Sequence, residues 1–261
     1  GGSNAAGPRG HRRHRTAALK WVVVGDWGTG DQKQVMVARR LGAVATSVGP
    51  RFVVSTGDQL YPSGATSVQS AQFGSKFERQ YAGKHAALRV PWYMSLGNHD
   101  CIGDPDVQVA YSNRSKFWRM PARYYAETFA VPTATLPLRL VVLDACALVC
   151  EGGAAAGEAQ GDVNYRCDRE ILDSVIPGSR AAQLEWLDAE LSKPAQWKVV
   201  VAHWPIFSFL GNGPSAAMTD AVLPLLLRHG VDAYFSGHDH SLQHIELKPH
   251  FRGAAPRPPQ F

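Results

Sequence analysis

The sequence predicts an α/β fold, and three observations carry that prediction. Short apolar runs bounded by Gly, Pro or Asp recur along the 261 residues, amphipathic stretches with three- and four-residue spacing lie between them, and clusters of Asp, Asn and His follow the runs. Alternating strands and helices build an α/β architecture, in which ligands gather in the loops at the carboxyl ends of the strands.

Residues 19–24 read as the first strand, and Ala38, Leu41, Ala45 and Val48 give the segment after it one apolar helical face. Residues 52–55, 92–96 and 138–143 read as three further strands. Leu184, Leu187 and Leu191 mark a second helical face, and residues 197–202 and 231–236 complete the strands. Pro224 falls inside a third helical pattern, residues 216–228, where its fixed φ and missing N–H predict a kink or a first turn. Residues 154–156, set among glycines, read as a mobile surface loop. With 45% hydrophobic residues the chain can bury a sizeable core. The polar clusters run from Asp26 to His240, which predicts one domain over residues 19–248, between a basic flexible segment, 1–18, and a Pro-rich tail, 249–261.

The net charge of +5 is local. Removing Arg9, Arg12, Arg13, Arg15 and Lys20 from the 27 basic residues leaves 22, equal to the 22 acidic ones, so the body of the chain lacks the clustered positive footprint of a nucleic-acid binder. No run approaches the roughly 18 apolar residues of a membrane span. The chain opens Gly1-Gly2-Ser3 without Met, which reads as a processed or fragmentary start; the Arg-rich segment is either the remnant of a leader or a flexible tail. Cys101, Cys146, Cys150 and Cys167 lack the paired spacing of a sulfur metal site, and Cys150 with Cys167 either closes the Gly/Ala-rich loop between them or remains as buried thiols. Asn113-Arg114-Ser115 is a glycosylation sequon that matters only in a secreted chain.

Five clusters close apolar runs: Gly25-Asp26-Trp27-Gly28, Gly57-Asp58-Gln59-Leu60-Tyr61, Gly97-Asn98-His99-Asp100, Ala202-His203-Trp204-Pro205 and Gly237-His238-Asp239-His240. Each alone has an ordinary explanation, since Gly-Asp makes turns and His203 would pass for a satisfied core histidine. Together, in order and all bearing metal-binding side chains, they predict a dinuclear metal site. Carboxylate and phenolate oxygens suit ferric iron, whereas imidazole and amide suit zinc, manganese or ferrous iron, so the two positions should be chemically unequal.

With Val90-Pro91-Trp92-Tyr93 ahead of the Gly-Asn-His-Asp cluster, and the stretch from Ala110-Tyr111-Ser112 to Tyr125, these motifs resemble the purple acid phosphatases of the small, tartrate-resistant type, within the calcineurin-like metallophosphoesterases. The likeness runs from Trp21 to Gln243. It implies an α/β two-sheet sandwich flanked by helices, with the family's closing strands missing after Leu247 and a sheet edge left unpaired. By motif, Asp26, Tyr61 and His240 would bind Fe(III), Asp58 would bridge, and Asn98, His203 and His238 would bind a divalent Fe, Zn or Mn. The implied activity is that of an acid phosphatase hydrolysing phosphate monoesters by attack of metal-bound hydroxide. His99 would hydrogen-bond the phosphate or protonate the leaving alkoxide, and Asp100 would orient it. The implied setting is secreted, lysosomal or vacuolar.

Departures from the family pattern qualify the expectation. Relatives carry an acidic residue and a histidine where this chain reads Leu210-Gly211-Asn212-Gly213-Pro214, so His99 is expected to act alone. Cys150 fits one partner of the usual family disulfide, but the other position falls near Ala216 or Ala217. A phosphodiesterase of the wider group is a competing expectation, although many of those open with Asp-x-His, whereas Asp26-Trp27-Gly28 with Tyr61 follows the purple type. A truncated, non-catalytic metal or phosphate binder is the other; retention of all seven ligand residues and His99 argues against it.

Overall fold

The computed structural model describes residues 18–151, 167, 171, 174–210 and 214–247. The predicted mobile loop at 154–156, the Asn212 position, the 1–17 portion of the basic segment and the Pro-rich tail lie outside them. Eight strands among the described residues form two four-stranded sheets. In the first, β1 (Trp21–Val24), β2 (Phe52–Ser55), β3 (Trp92–Met94) and β4 (Trp118–Arg119) lie in that order and run parallel. In the second, β5 (Tyr125–Phe129) runs antiparallel to β6 (Leu138–Val142), which is followed by parallel β7 (Trp197–Val201) and β8 (Ala233–Phe235).

Helix α1 (Gln32–Val48) makes the crossover from β1 to β2. The Asp31 carboxylate accepts the Gln34 N–H at 3.1 Å at its start, and Gly49 ends it at φ 64, donating to the Ala45 carbonyl at 2.8 Å. Small buried residues, Ala38, Gly42 and Ala45, line its inner face, and a Cβ on Gly42 would lie 2.3 Å from His85 Nδ1. Further helices among the described residues are α2 (Asn98–Ile102), α3 (Pro105–Tyr111), α4 (Ala145–Cys150), α5 (Ser179–Ser192), α6 (Ala216–Ala221) and α7 (Leu223–Arg228). The residue 216–228 pattern is thus two helices, and Pro224 stands in the first turn of the second, where its absent N–H leaves no bond unmade.

The sheets face each other across aromatic contacts. Phe52 of β2 stacks on Phe129 of β5 with ring centroids 4.1 Å apart, and Trp21 stacks on Phe52 at 5.7 Å. Tyr125 is buried, and its hydroxyl donates to the Met94 carbonyl at 3.0 Å, so the polar end of a core residue is satisfied by the opposite sheet. Behind the first sheet, Trp27, Phe77, Tyr81, Trp92 and Trp118 pack edge-on; burying each such ring contributes about 2–3 kcal/mol.

All six predicted strands are present, most trimmed at an end. Strands β2 and β3 are buried throughout, whereas β1 and β8 are only half-buried because each is the edge strand of its sheet among the described residues. Strands β4 and β5 were not predicted. The cysteines form two disulfides, Cys150–Cys167, one of the two alternatives left open, and Cys101–Cys146, which fastens α2 to α4.

Candidate metal centre

The five ligand clusters follow β1, β2, β3, β7 and β8, whose parallel runs bring all of them to one end of the molecule. Their backbones interlock. Asp26 N–H donates to Gly57 O at 3.0 Å, Gly28 N–H to Asp58 O at 3.2 Å, Tyr61 N–H to Gly28 O at 3.2 Å and Gly237 N–H to His203 O at 3.0 Å. Asp26, Asp58 and His238 adopt φ of 56°, 57° and 69°, a left-handed conformation that side-chain-bearing residues seldom take and that concentrates at functional sites. The loops approach closely enough to require glycine: a Cβ on Gly97 would lie 2.1 Å from Asp58 Oδ1, and one on Gly57, itself at φ 106°, would lie 2.6 Å from His203 Nδ1.

The side chains group into two trios. In one, Tyr61 OH is 3.2 Å from His240 Nε2, which is 3.5 Å from Asp26 Oδ1. In the other, Asn98 Oδ1 lies 3.0 Å from both His203 Nε2 and His238 Nδ1, and the two ring nitrogens are 3.3 Å apart. Asp58 stands between them, its Oδ2 3.4 Å from His203 Nε2 and its charge acting on the Tyr61 phenol. All seven residues expected as ligands therefore converge. One donor atom each from Asp26, Asp58 and His203 lie within 4.8 Å of one another, and the oxygen-and-nitrogen donor set fits a pair of unequal metal ions. Cys101, Asp144 and Cys146 also cluster, but the disulfide occupies both sulfurs.

Ring orientation is set from behind. His203 Nδ1 faces the Thr56 carbonyl at 2.8 Å, so the proton sits there and Nε2 points into the cluster. The charges of the cluster suit a cation. Burial opposes a charged imidazole, yet the Asp58 and Asp26 carboxylates push His203 up to about 9. Burial would raise Asp58, yet His203 and His99 hold it down at about 2. Tyr61 is driven well above the ordinary phenol range by burial and by the charges of Asp58 and Asp26. A metal ion held by these groups would displace protons from histidine and phenol, so its affinity would rise with pH.

His99 and Asp100 separate in a way the motif does not reveal. The His99 ring lies 4.2 Å from that of Tyr61, and its Nδ1 meets the Pro62 carbonyl at 2.6 Å. Asp100, expected to orient His99, instead turns inward, is fully buried, and accepts N–H groups from Asp58, Gln59, Leu60 and Gly97. The orienting partner of His99 is thus a backbone carbonyl. Lys76 was not anticipated: its ammonium donates to the Tyr61 carbonyl and, at 2.8 Å, to Gln72 Oε1. It lies in a helical turn far along the chain, and no local pattern marks it.

The fold and the cluster of seven donors define a metallophosphoesterase. The pattern of the calcineurin-like phosphoesterases matches residues 19–242, and the chain belongs to that family. It is 32% identical over 238 residues to tartrate-resistant acid phosphatase type 5 of Oryctolagus cuniculus, covering 88% of this chain and 70% of that protein. To the Homo sapiens protein of the same name it is 30% identical, again over 88% and 70% of the two chains. It is 32% identical to purple acid phosphatase 17 of Arabidopsis thaliana over 87% of this chain and 64% of that one. Among solved structures, the inner membrane complex anchor GAP50 of Plasmodium shares the fold with a TM-score of 0.67 at 22% identity, covering 85% of this chain and 66% of that one. A dimetal phosphatase from Danio rerio does so with a TM-score of 0.56 at 16% identity, over 85% and 82%.

Proposed function

We propose that this chain, through the domain at 19–248, is a metal-dependent acid phosphatase that hydrolyses phosphate monoesters at a centre of ferric iron and a divalent iron, zinc or manganese ion. The observation that carries the reading is the pair of donor trios on either side of Asp58, one of them containing the Tyr61 phenol. Asp26, Tyr61 and His240 are assigned to the ferric ion, Asn98, His203 and His238 to the divalent ion, and Asp58 to both. When bound, such a centre supplies an activated water and electrophilic assistance to the phosphoryl group.

The chain's own residues do the rest. Asp26, Asp58 and the Tyr61 phenolate leave a surplus of roughly two positive charges on a ferric-divalent pair, which draws a phosphate dianion. Asn98 and the carbonyl-anchored His203 hold their donor atoms in place before substrate arrives, so little reorganisation is needed. His99 donates Nδ1–H to Pro62 O, which leaves Nε2 to carry the proton given to the leaving alkoxide. Among the described residues no helix is long and apolar enough to cross a membrane. The two disulfides suit an oxidising setting, secreted or lysosomal and vacuolar.

The purified chain is to be assayed for metal content, for visible absorption, and with a chromogenic phosphomonoester and phosphodiester at about pH 5 and about pH 7. Two metal ions per chain, a phenolate-to-iron band abolished by Tyr61→Phe, and preference for the monoester on the acidic side are expected. The His99→Ala variant should keep both metals while kcat falls by ~10²- to 10⁴-fold. A folded chain that binds two metals and cleaves neither ester, or one whose ferric form is colourless, would refute the reading.

A further inference from the structure

Asp100 is 0% exposed and contacts no candidate ligand side chain in the hydrogen-bond pattern above, yet it has more backbone partners than any neighbouring carboxylate of the site. Its Oδ2 accepts Asp58 N–H at 2.7 Å and Gly97 N–H at 2.9 Å; its Oδ1 accepts Leu60 N–H at 3.1 Å and Gln59 N–H at 3.2 Å. The grip is returned, because Asp58 Oδ1 accepts His99 N–H at 3.0 Å. Two loops are therefore joined by reciprocal carboxylate-to-amide bonds: the one after β2, carrying Asp58 and Tyr61, and the first turn of α2, carrying Asn98 and His99.

We propose that Asp100 is a positioning residue that couples the two halves of the metal centre, fixing the Asp58–Tyr61 loop against the Asn98–His99 turn so that both metal positions form together. The inference rests on the ligand assignment made under Proposed function and adds to it a determinant of metal affinity that touches no metal. An ionised carboxylate accepts at both oxygens and donates at neither, which is what four converging N–H groups require. Asp58 sits at φ 57°, and its N–H bond to Asp100, with that of Gly28 N–H to its carbonyl, holds that unfavourable backbone in place. The Cys101–Cys146 disulfide, one residue further on, anchors the same short helix to α4, so the Asp58 loop is positioned against a fixed support.

A merely structural carboxylate would lower thermal stability and leave metal affinity alone, and the two roles separate by measurement. Metal-free wild type, Asp100→Asn, Asp100→Glu and Asn98→Ala are titrated with Zn²⁺ by calorimetry, with near-UV circular dichroism to report folding. Asn keeps the size but offers one acceptor and one donor, so it satisfies one pair of amides and opposes the other. Wild type should bind two Zn²⁺. Asp100→Asn should stay folded and bind both ions about 10- to 100-fold more weakly, the range seen when groups that orient metal ligands are removed. Asn98→Ala should weaken one ion much more than the other. A folded Asp100→Asn protein that binds both ions as wild type does would overturn the proposal while leaving the ligand assignment intact. Should Asp100→Asn not fold, Asp100→Glu, which keeps both oxygens but displaces them by a methylene, should fold and weaken both ions, and a folded Asp100→Glu protein that binds both as wild type does would overturn the proposal. Failure of both to fold would make Asp100 a stability residue and overturn the proposal. A wild type that binds no Zn²⁺ would overturn the ligand assignment and this proposal with it.

Discussion

The loops of the first sheet and those of the second hold their donors by different means. After β1, β2 and β3 the chain is bound to itself: Asp26 N–H to Gly57, Gly28 N–H to Asp58, His99 N–H to the Asp58 carboxylate and Asp58 N–H to Asp100. After β7 and β8 the histidines lean on groups supplied by the first sheet, His203 on the Thr56 carbonyl and the His238 N–H on the Asp26 carboxylate at 3.0 Å. Exposure grades accordingly within the second set: His203 is 0% exposed, His238 9%, and the His240 side chain 66%. The first sheet is thus the template on which the second sheet's histidines are laid, and damage to the first should reach both metals.

The most damaging test of that asymmetry is Gly97→Ala. A methyl 2.1 Å from Asp58 Oδ1 and 2.4 Å from Asp58 N meets the side chain and the backbone at once; the carboxylate cannot retreat without losing the His99 N–H, nor the backbone without losing Asp100. We expect loss of both metals, activity reduced by ~10²-fold or more, and a lower melting temperature, since misplacement by about an ångström already has effects of that size. Two bound metals with near-normal turnover would show that the first sheet's loops are more compliant than their packing implies.

A finer test lies within the second set. His203→Ala leaves the Asp58 carboxylate and the Thr56 carbonyl buried without their imidazole, a loss on the order of 3–5 kcal/mol in stability besides the metal. His240→Ala removes a largely exposed ring, and should leave the melting temperature nearly unchanged while weakening metal binding by more than the ~10- to 100-fold expected for a group that only orients ligands. Equal loss of stability in the two variants, read by thermal denaturation of the metal-free proteins, would contradict the grading.

Much of this site was legible in the sequence because each donor stands within a few residues of a strand end, and parallel strands carry their carboxyl ends to one place. Asp26, Asp58, Asn98, His203 and His238 follow that rule, and Tyr61 and His240 lie two or three residues beyond it. What escaped were relations set by tertiary approach. The direction of the Asp100 side chain depends on where the β2 loop lies, the anchor of His99 is the Pro62 carbonyl, and the Lys76 ammonium reaches Tyr61 from a separate turn. Of the fold, β4 has two residues and no pattern to read. Strand β5 carries Glu127 and Thr128 between its aromatic ends, and pairs only because β6 presents an edge. Cys101 and Cys146 are 45 residues apart, a spacing that says nothing about pairing.

The smallest effect on activity is expected beyond the donors, at Asp144, which follows β6 and caps α4 by accepting the Ala147 N–H at 3.2 Å. Burial pushes its carboxyl up to about 6 from an ordinary 3.8, with the Ala147 N–H and Arg123 pulling the other way. The folded state therefore favours the proton more than the unfolded state does. The stability that goes with that proton is fully present below about pH 3.8 and is lost as pH rises through about 6. Above that pH the folded protein carries a buried carboxylate, a penalty on the order of 3 kcal/mol for a shift of this size. Asp144→Asn cannot ionise and keeps an acceptor for the cap, as Asn does at helix starts. The variant should match wild type in stability near pH 4 and exceed it near pH 7 by up to that amount, with turnover unchanged because Asp144 contacts none of the donors. Denaturant unfolding of both proteins across this range decides the matter. A stability difference that stays constant with pH, or a variant less stable than wild type near neutrality, would mean that Asp144 is already ionised in the fold and stabilises it as an anion.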